Sequence, residues 1–600
     1  MAKFYMDYLT QLKACSSQKD FANLLGYSEK TFTHILFSED IHKKYNQFTI
    51  PKKGGGVRTI LAPKPDLKIL QARISLVLTE CYEELEKKRL TTFSYVECIT
   101  SHGFRRKFDL VIPSSKTNRK PLKIEKIALG IYSNAKRHTN KKYILNIDLE
   151  NFFESITFSR IVGFFTKNKH FLLNYDIAIL LAQIATYRLT KSTEAYLPQG
   201  SPCSPIISNL IGNILDIKML NLAKKYKCTY TRYADDLTLS TNMKELPSEL
   251  VTLDGNHWIA GKELKALIKS CKFKINDKKT RVNNRDFRQE VTSLTVNKKV
   301  NINKSYYRYT RSMVNEFCTK GNFYKSKFHM EPQKNTPQAL NGILNYIFNI
   351  KKYNSFELDL KVKEFDDLDS IEKLYIRYLF HYYFIYPQRT IIIGEGYTDP
   401  LHLKLAFHKL YNNSISHIKF SSLQSTKKFS ELLGFSGGTG LLQKFLKCYG
   451  RINKATVVDL SACIILIDGD SAGDSVIKTA SSEFKNSINL INSSISTNGI
   501  PIFDFYHVFN NLYILQLPKN IVVEDLYDPI LLASNIAGRT YNSSNKKFDL
   551  TKFYGKKDLF EKIVFPNQDT IDFSNFKIIF NTIFHIQLYH YLYSLSVKNI

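Results

Sequence analysis

A multidomain chain combining α+β and α/β architecture is predicted by three observations. Its 600 residues exceed what one hydrophobic core usually organises. Short β-rich runs ending in acidic residues recur in two separate regions, and segments with helical periodicity alternate with them. With 44% hydrophobic residues there is ample material for buried cores, which excludes a disordered chain.

In chain order, apolar positions at helical spacing around Gly26 (Phe21, Leu24, Leu25, Phe32, Ile35, Leu36) predict two short helices over residues 18–37. A packing role is the plainer reading of that pair than a DNA-reading helix-turn-helix. From Phe48 the pattern becomes strand, turn, strand, with Lys52, Lys53 and Gly54 to Gly56 forming a basic, glycine-rich hairpin tip. Tyr143 to Asp148 and Thr229 to Ser240 read as strands, and Asp176 to Leu189 as a helix between them. The character then shifts over residues 351–388, with Asp366, Asp367 and Asp369 clustered, and Pro387 precedes a new apolar strand, Thr390 to Ile393. The expected divisions are therefore residues 1–300, 301–388 and 389–600, with the main boundary near Pro387.

Charge points to a class of partner. Lysine and arginine outnumber acids 85 to 54, a net charge of +31, and residues 1–350 hold 57 of those bases against 30 acids. A surface of that kind attracts a polyanion, and 36 tyrosines and 41 phenylalanines supply faces on which unpaired bases can stack. The nine cysteines, Cys81, Cys98 and Cys203 among them, never form a C-x-x-C pair, which argues against a zinc ribbon or a disulfide scaffold. The N-terminus lacks an uninterrupted apolar segment, and Ile578 to Val597 is broken by Asn581, His585, Gln587 and His590. A cytoplasmic protein without a membrane partner is expected.

Two carboxylate sets carry the chemistry. Asp235 and Asp236 lie inside an apolar alternation (Tyr230, Tyr233, Leu237, Leu239), as a β-hairpin would present two acids at its turn. Adjacent carboxylates diverge on a strand, so a metal site needs a third acid from a neighbouring strand, and Asp148 is the candidate. The second set is Glu395, after the buried run Ile391 to Gly394, with Asp468 and Asp470 after Ile464 to Ile467. Acids past the carboxyl ends of strands in an open parallel sheet can converge. Such clusters suit two Mg²⁺ ions, with Mn²⁺ as an alternative, because the metals neutralise charge developing in phosphoryl transfer.

The order of the first set of motifs resembles reverse transcriptases: Ile50 to Gly55 with Arg58 and Ala62-Pro63; Asp148 to Phe153; Pro198 to Pro202 with Ser204-Pro205; Tyr233 to Asp236; and Asn276 to Thr280. The resemblance implies a right-hand fingers, palm and thumb polymerase using dNTPs. Asp148, Asp235 and Asp236 would hold the metals, Arg58 and Lys53 would neutralise the triphosphate, and Gln199 and Gly200 would position template and nucleotide. Lys279 would complete the basic lining, and Phe153 resembles the family's steric gate against a ribose 2′-hydroxyl. The plainer reading of Phe152 and Phe153 is core packing, expected for one of the two.

Within that family the retron enzymes are the nearer match. Asn134-Ala135-Lys136-Arg137-His138 fits their N-A-x-x-H signature, Ser101 to Phe104 resembles the segment before it, and Gln289 to Leu294 resembles their V-T-G element, with Ser293 where glycine is usual. The resemblance covers about residues 1–320. It implies a structured noncoding RNA partner (msr-msd), priming from an internal guanosine 2′-hydroxyl, a branched RNA-linked single-stranded DNA product (msDNA), and a host RNase H for RNA removal.

The second set, with Gly396 and Asp399 after Glu395 and Gly469 and Gly473 beside the two aspartates, resembles the TOPRIM domain. The remaining sequence is similar to the TOPRIM half of overcoming-lysogenisation-defect nucleases, which adds Glu524 as an outer acid and Lys556 as a transition-state cation. Asp399 and Asp474 read equally as helix caps. The resemblance implies a Rossmann-like nuclease effector, acting on nucleic acid in defence against phage. Two alternatives stand beside it: a TOPRIM half that only binds nucleic acid, and a group II intron-like reverse transcriptase. Homo-oligomerisation is left open.

Overall fold

Residues Tyr143–Asp148, Thr229–Tyr233, Asp236–Thr241 and Arg281–Asn284 form a four-stranded antiparallel sheet, in the order 281–284, 143–148, 236–241, 229–233. The computed structural model describes residues 7–598 apart from 53–54, 94–98, 107, 113–122, 191–192, 324–335, 355–364, 387–388, 412–416, 424–427, 429–430, 433–437, 453–460, 492–499 and 543–548. The chain divides into two units, Met1–Asn303 and Lys304–Ile600. The segment 304–388 thus groups with the C-terminal sheet, and Pro387 lies outside the described residues.

In the first unit, the expected helix pair is Gln18–Leu24 and Glu29–Phe37, with Gly26 at φ +72° in the turn between them, and Phe21 and Phe32 meet edge to face in the core. The hairpin pairs Tyr45–Pro51 with Val57–Pro63, and the helix Pro65–Phe93 follows. The helix expected over 176–189 is shorter, Tyr175–Ala185. Past Thr186 the chain turns extended and Tyr187 bridges to Tyr196, so Leu189 lies outside the helix and exposed. Behind the sheet lies the helix Ser204–Lys225, which buries Ile206, Ile207, Leu210, Ile211, Leu215, Met219 and Leu222. Each such side chain contributes about 1.5–3 kcal/mol relative to exposure. Among the described residues this is the one helix long and apolar enough to cross a membrane, and most of it is buried inside the chain.

The V-T-S element forms the tip of a two-residue-strand hairpin, Glu290-Val291 against Leu294-Thr295, with Thr292 at φ +46° and Ser293 at φ +64°. Left-handed backbone costs a residue with a Cβ roughly 1–2 kcal/mol, while glycine adds entropy to the unfolded chain. Ser293→Gly is therefore expected to stabilise the protein by about 0.5–1 kcal/mol, read as a higher denaturant midpoint at unchanged slope.

In the second unit, helices Lys304–Lys320, Pro337–Asn354 and Ser370–Phe380 precede a six-stranded sheet. The clustered acids have local duties: Asp369 caps the third helix in a reciprocal box with Glu372, and Asp366 pairs with Arg451. Phe380 stacks on Phe445 of the helix Thr439–Ile452 at 4.9 Å, which ties these helices to the sheet layer. The sheet order is 418–422, 390–394, 463–467, 512–516, 505–509, 489–491, the first four strands parallel and the last two antiparallel. Strand 390–394 therefore has its sequence successor on one side and strand 463–467 on the other. That is a topological switch point, where ligands gather beyond the carboxyl ends of strands. The helix Lys577–Lys598 packs on this sheet through Phe580, Ile583 and Ile586.

Candidate active sites

A two-residue turn joins strands 229–233 and 236–241, which puts Ala234 in the left-handed region at φ +56° and leaves Asp235 and Asp236 at the mouth of the hairpin. Asp236 stands directly opposite Asp148 on the neighbouring strand. The Leu149 amide donates to the Asp235 carbonyl at 3.1 Å, locking the turn to that strand. Three carboxylates are thereby crowded at one sheet end. Burial raises the Asp235 carboxyl above its usual range, with Asp148 adding to the rise. Asp236, whose side chain still reaches solvent, is pushed up to about 7, first by lost hydration and then by Asp235 and Asp148.

Lys279 and Arg58 bring positive charge to these acids. Lys279, in the turn Asp277–Lys279, donates to both Asp148 oxygens at 3.1 Å. Arg58 is exposed on the hairpin strand and near enough to oppose the rise at Asp235. Lys53 lies outside the described residues. A cleft of about 200 Å³ runs from Asp148, Asp236 and Lys279 along Asn146, Thr238 and Arg281 to Thr292 and Ser293.

Gly200 and Gln199 join this region to the hairpin. The Leu61 amide donates to the Gln199 carbonyl at 2.8 Å, and the Gln199 amide group donates to Glu154 at 3.2 Å. Gly200 has φ +123°, and a Cβ there would stand 2.5 Å from the Leu61 carbonyl oxygen, so a side chain is excluded on both counts. Phe152 is buried and stacks on Phe273, whereas Phe153 is half-buried and faces Phe104 at 6.3 Å.

The N-A-x-x-H residues brace this hairpin from behind. Thr231 donates to Asn134 Oδ1 at 2.6 Å, and the His138 ring lies 2.7 Å from both Thr231 Oγ1 and Ser240 Oγ. Burial drives His138 well below its usual pKa, so it serves as a neutral link between the two strands.

The second set of acids gathers at the switch point. Glu395 follows strand 390–394, and burial, then Asp468, Asp470 and Asp399, push it up to about 7. Asp468 is buried, accepts from the Val523 amide at 3.3 Å and pairs with Lys556 at 3.1 Å. Lys556 also reaches Glu524 at 3.0 Å, and Glu524 is fully buried. Although burial would lower it, Glu524 and Asp468 hold the Lys556 ammonium above the usual lysine range. The same burial lifts the Glu524 carboxyl. Glu524 and Lys556 thus join the acids in space. Asp470 is the N-cap of helix Ser471–Glu483, accepting from the Ala472 and Gly473 amides at 2.9 Å. Asp399 is the first residue of the helix Asp399–Tyr411 and accepts from the Gly396 amide at 2.7 Å, which ties the preceding turn to it and does not cap the helix. Sequence reasoning missed His402, whose Nε2 lies 3.8 Å from Glu524 while Nδ1 meets the Tyr527 hydroxyl at 2.9 Å. A histidine at the first turn of a helix that also carries His408, Lys404 and Lys409 has no signal that would have singled it out.

Both sets offer oxygen donors of the kind hard divalent cations take. Among the described residues, no group of three or more His, Cys, Asp or Glu is drawn tightly enough to hold a metal ion as it stands. The fit rests on donor chemistry and crowding: burial and then neighbouring carboxylates raise Asp236 in the first set and Glu395 in the second, and Glu395 Oε2 is buried without a hydrogen-bond partner. A cation would relieve both features.

Residues 50–337 match the model of the reverse transcriptase (RNA-dependent DNA polymerase) family. The chain is similar to the retron Ec86 reverse transcriptase of Escherichia coli, 30% identical over 316 residues, covering 52% of this chain and 81% of that protein. Similarity extends to two Myxococcus xanthus proteins, the retron Mx65 reverse transcriptase (27% identical, 52% of this chain, 66% of the relative) and the retron Mx162 reverse transcriptase (29%, 48% and 54%). The chain therefore spans about two thirds of the one and about half of the other. A solved telomerase from Candida albicans, in complex with a telomeric RNA fragment, aligns at 11% identity and a TM-score of 0.30 over 74% of this chain and 64% of that one, too low to bear on fold or function.

Proposed function

Because the chain belongs to the retron reverse transcriptases, we propose that its first unit is an RNA-directed DNA polymerase that copies a structured noncoding RNA into branched, RNA-linked single-stranded DNA. The observation that carries the reading is the register of Asp148 opposite Asp236, with Asp235 at the turn beside them. When bound there, two Mg²⁺ ions, or Mn²⁺, would supply charge neutralisation at the attacking and leaving oxygens. Asp148, Asp235 and Asp236 hold them. Lys279 and Arg58 balance the triphosphate, Gln199 and Gly200 set the distance to the hairpin, and Phe153 stands toward the nucleotide sugar. The basic first half retains the RNA partner and its DNA product, in the cytoplasm, and a host RNase H trims the RNA.

The test is to express the chain with its flanking genomic DNA and compare small nucleic acids from wild type and from Asp235→Ala plus Asp236→Ala. A branched, RNase-sensitive DNA present only in wild type supports the assignment. Its absence from both, with polymerase activity intact on an artificial primer and template, sinks the retron product and favours the group II intron-like alternative.

For the second unit the proposal is a metal-dependent TOPRIM nuclease effector of anti-phage defence, held in check by the polymerase and its DNA product. Four parallel strands with Glu395, Asp468 and Asp470 at a switch point, and Lys556 with Glu524 beside them, support it. Asp468→Asn is expected to lower nucleic-acid cleavage by at least about 10²-fold, since a charge-bearing ligand is lost at a reacting phosphate, while DNA synthesis is unchanged. Cleavage that survives the substitution refutes the assigned site, and a wild type that binds but never cuts supports a binding-only module. Equal cutting by protein with and without its DNA product excludes the restraint.

A further inference from the structure

The catalytic turn is held from inside the protein by an arginine. Arg232 immediately precedes the Tyr233 to Asp236 motif, yet its side chain is 0% exposed and points into the core behind the sheet. Its Nη1 donates to the Ala234 carbonyl at 3.2 Å, the residue whose left-handed conformation sets the turn, and to Asn209 Oδ1 at 3.2 Å. Its Nε and Nη2 grip Asp216 through both carboxylate oxygens, at 2.8 and 2.7 Å.

One face of the helix Ser204–Lys225 is shaped for this guanidinium. Asn209, Gly212 and Asp216 are spaced three and four residues apart, and a Cβ on Gly212 would stand 2.8 Å from Arg232 Cζ. The second layer is closed as well. Tyr230 donates to Asp216 Oδ1 at 2.8 Å, and Asn209 donates to the Gly103 carbonyl at 2.8 Å. Gly103 lies against the turn, where a Cβ would meet the Ala234 nitrogen at 2.6 Å. On the main chain, the Arg232 amide donates to the Thr100 carbonyl and its carbonyl accepts from the His102 amide, both at 2.8 Å. The Ser101 to Phe104 segment is thereby docked against the same turn.

We propose that Arg232, fixed by Asp216 and Asn209, is a positioning residue: it holds the Ala234 turn and so aims Asp235 and Asp236 at the metals and the reacting phosphate. The inference rests on the polymerase reading of this site. A lysine could not reproduce it, because a single ammonium lacks the planar fork that engages the carboxylate and the carbonyl together.

The experiment separates positioning from folding. Buried ion pairs replaced by apolar residues of similar volume are often neutral for stability, so Arg232→Met with Asp216→Leu keeps a folded core while deleting the bond to Ala234. On a defined primer and template, the double variant is expected to melt near wild type and to keep its dNTP KM within about threefold. Its kcat falls by roughly 10²-fold, the cost of a misplacement of about 1 Å in a reacting group. The Mg²⁺ concentration for half-maximal rate rises. Wild-type kcat and Mg²⁺ dependence in a folded double variant would overturn the positioning role alone, with polymerase activity still established. If the double variant is unfolded, Arg232→Lys supplies the same comparison. An inactive wild type would overturn both the polymerase reading and this inference.

Discussion

Asp235→Asn is expected to reduce DNA synthesis by at least about 10³-fold, since removing a carboxylate that would hold the charge-neutralising metal forfeits several kcal/mol of transition-state stabilisation at about 1.4 kcal/mol per decade. The substitution is isosteric and lies at the hairpin mouth, so the main-chain bond from Leu149 to the Asp235 carbonyl survives. Loss of activity would then reflect the lost carboxylate charge. Single-turnover extension of a labelled primer, with melting measured in parallel, checks it. A variant that retains a tenth of wild-type rate would show that Asp148 and Asp236 suffice, and would remove Asp235 from the metal set.

The second large effect is on stability. Asp216→Ala is expected to destabilise the first unit by about 3–5 kcal/mol, because it strips the counter-charge from a fully buried guanidinium. Both partners are at most 1% exposed, so water cannot take the place of the lost carboxylate. Tyr230 loses its acceptor at the same time, and the gap borders a helix face already shaped by Gly212. Domains are stable by only about 5–15 kcal/mol, so a loss of this size is a large fraction of the total. Denaturant unfolding of the variant checks the value. The double replacement Arg232→Met with Asp216→Leu should recover most of it, since no unpaired charge is then left inside. A fall below about 1 kcal/mol in the single variant would mean that the ion pair contributes little.

Much of the candidate polymerase site was legible because its residues sit in short local patterns. Asp148 ends an apolar strand, Asp235 and Asp236 interrupt an alternation, and a hairpin turn follows from period-two spacing alone. That Asp148 comes from a neighbouring strand was inferred from the divergence of adjacent carboxylates, and the ladder adds that it stands across from Asp236. The helix after Tyr175 was read too long because Tyr187 and Leu189 keep an apolar pattern. A bridge from Tyr187 to Tyr196 outweighed that periodicity. The clustered acids at 366–369 looked like one feature and are two, a helix cap and an ion pair with a residue more than eighty positions away.

The amino-acid sequence by itself determined the family, the two candidate sets of acids and the strands that carry them, because apolar periodicity and the residue types of a motif are local properties. Only the tertiary structure decided what supports them. Asn209, Gly212 and Asp216 read as an ordinary stretch of helix until Arg232 is seen to fill the space that Gly212 leaves, and the N-A-x-x-H residues read as a signature until His138 is seen linking two strands. In the second unit, Lys556 meets Asp468 and Glu524 across more than thirty intervening residues. The cost of burying a charge is met by whichever partner the fold brings within about 3 Å, and that distance is not a local property of any sequence window.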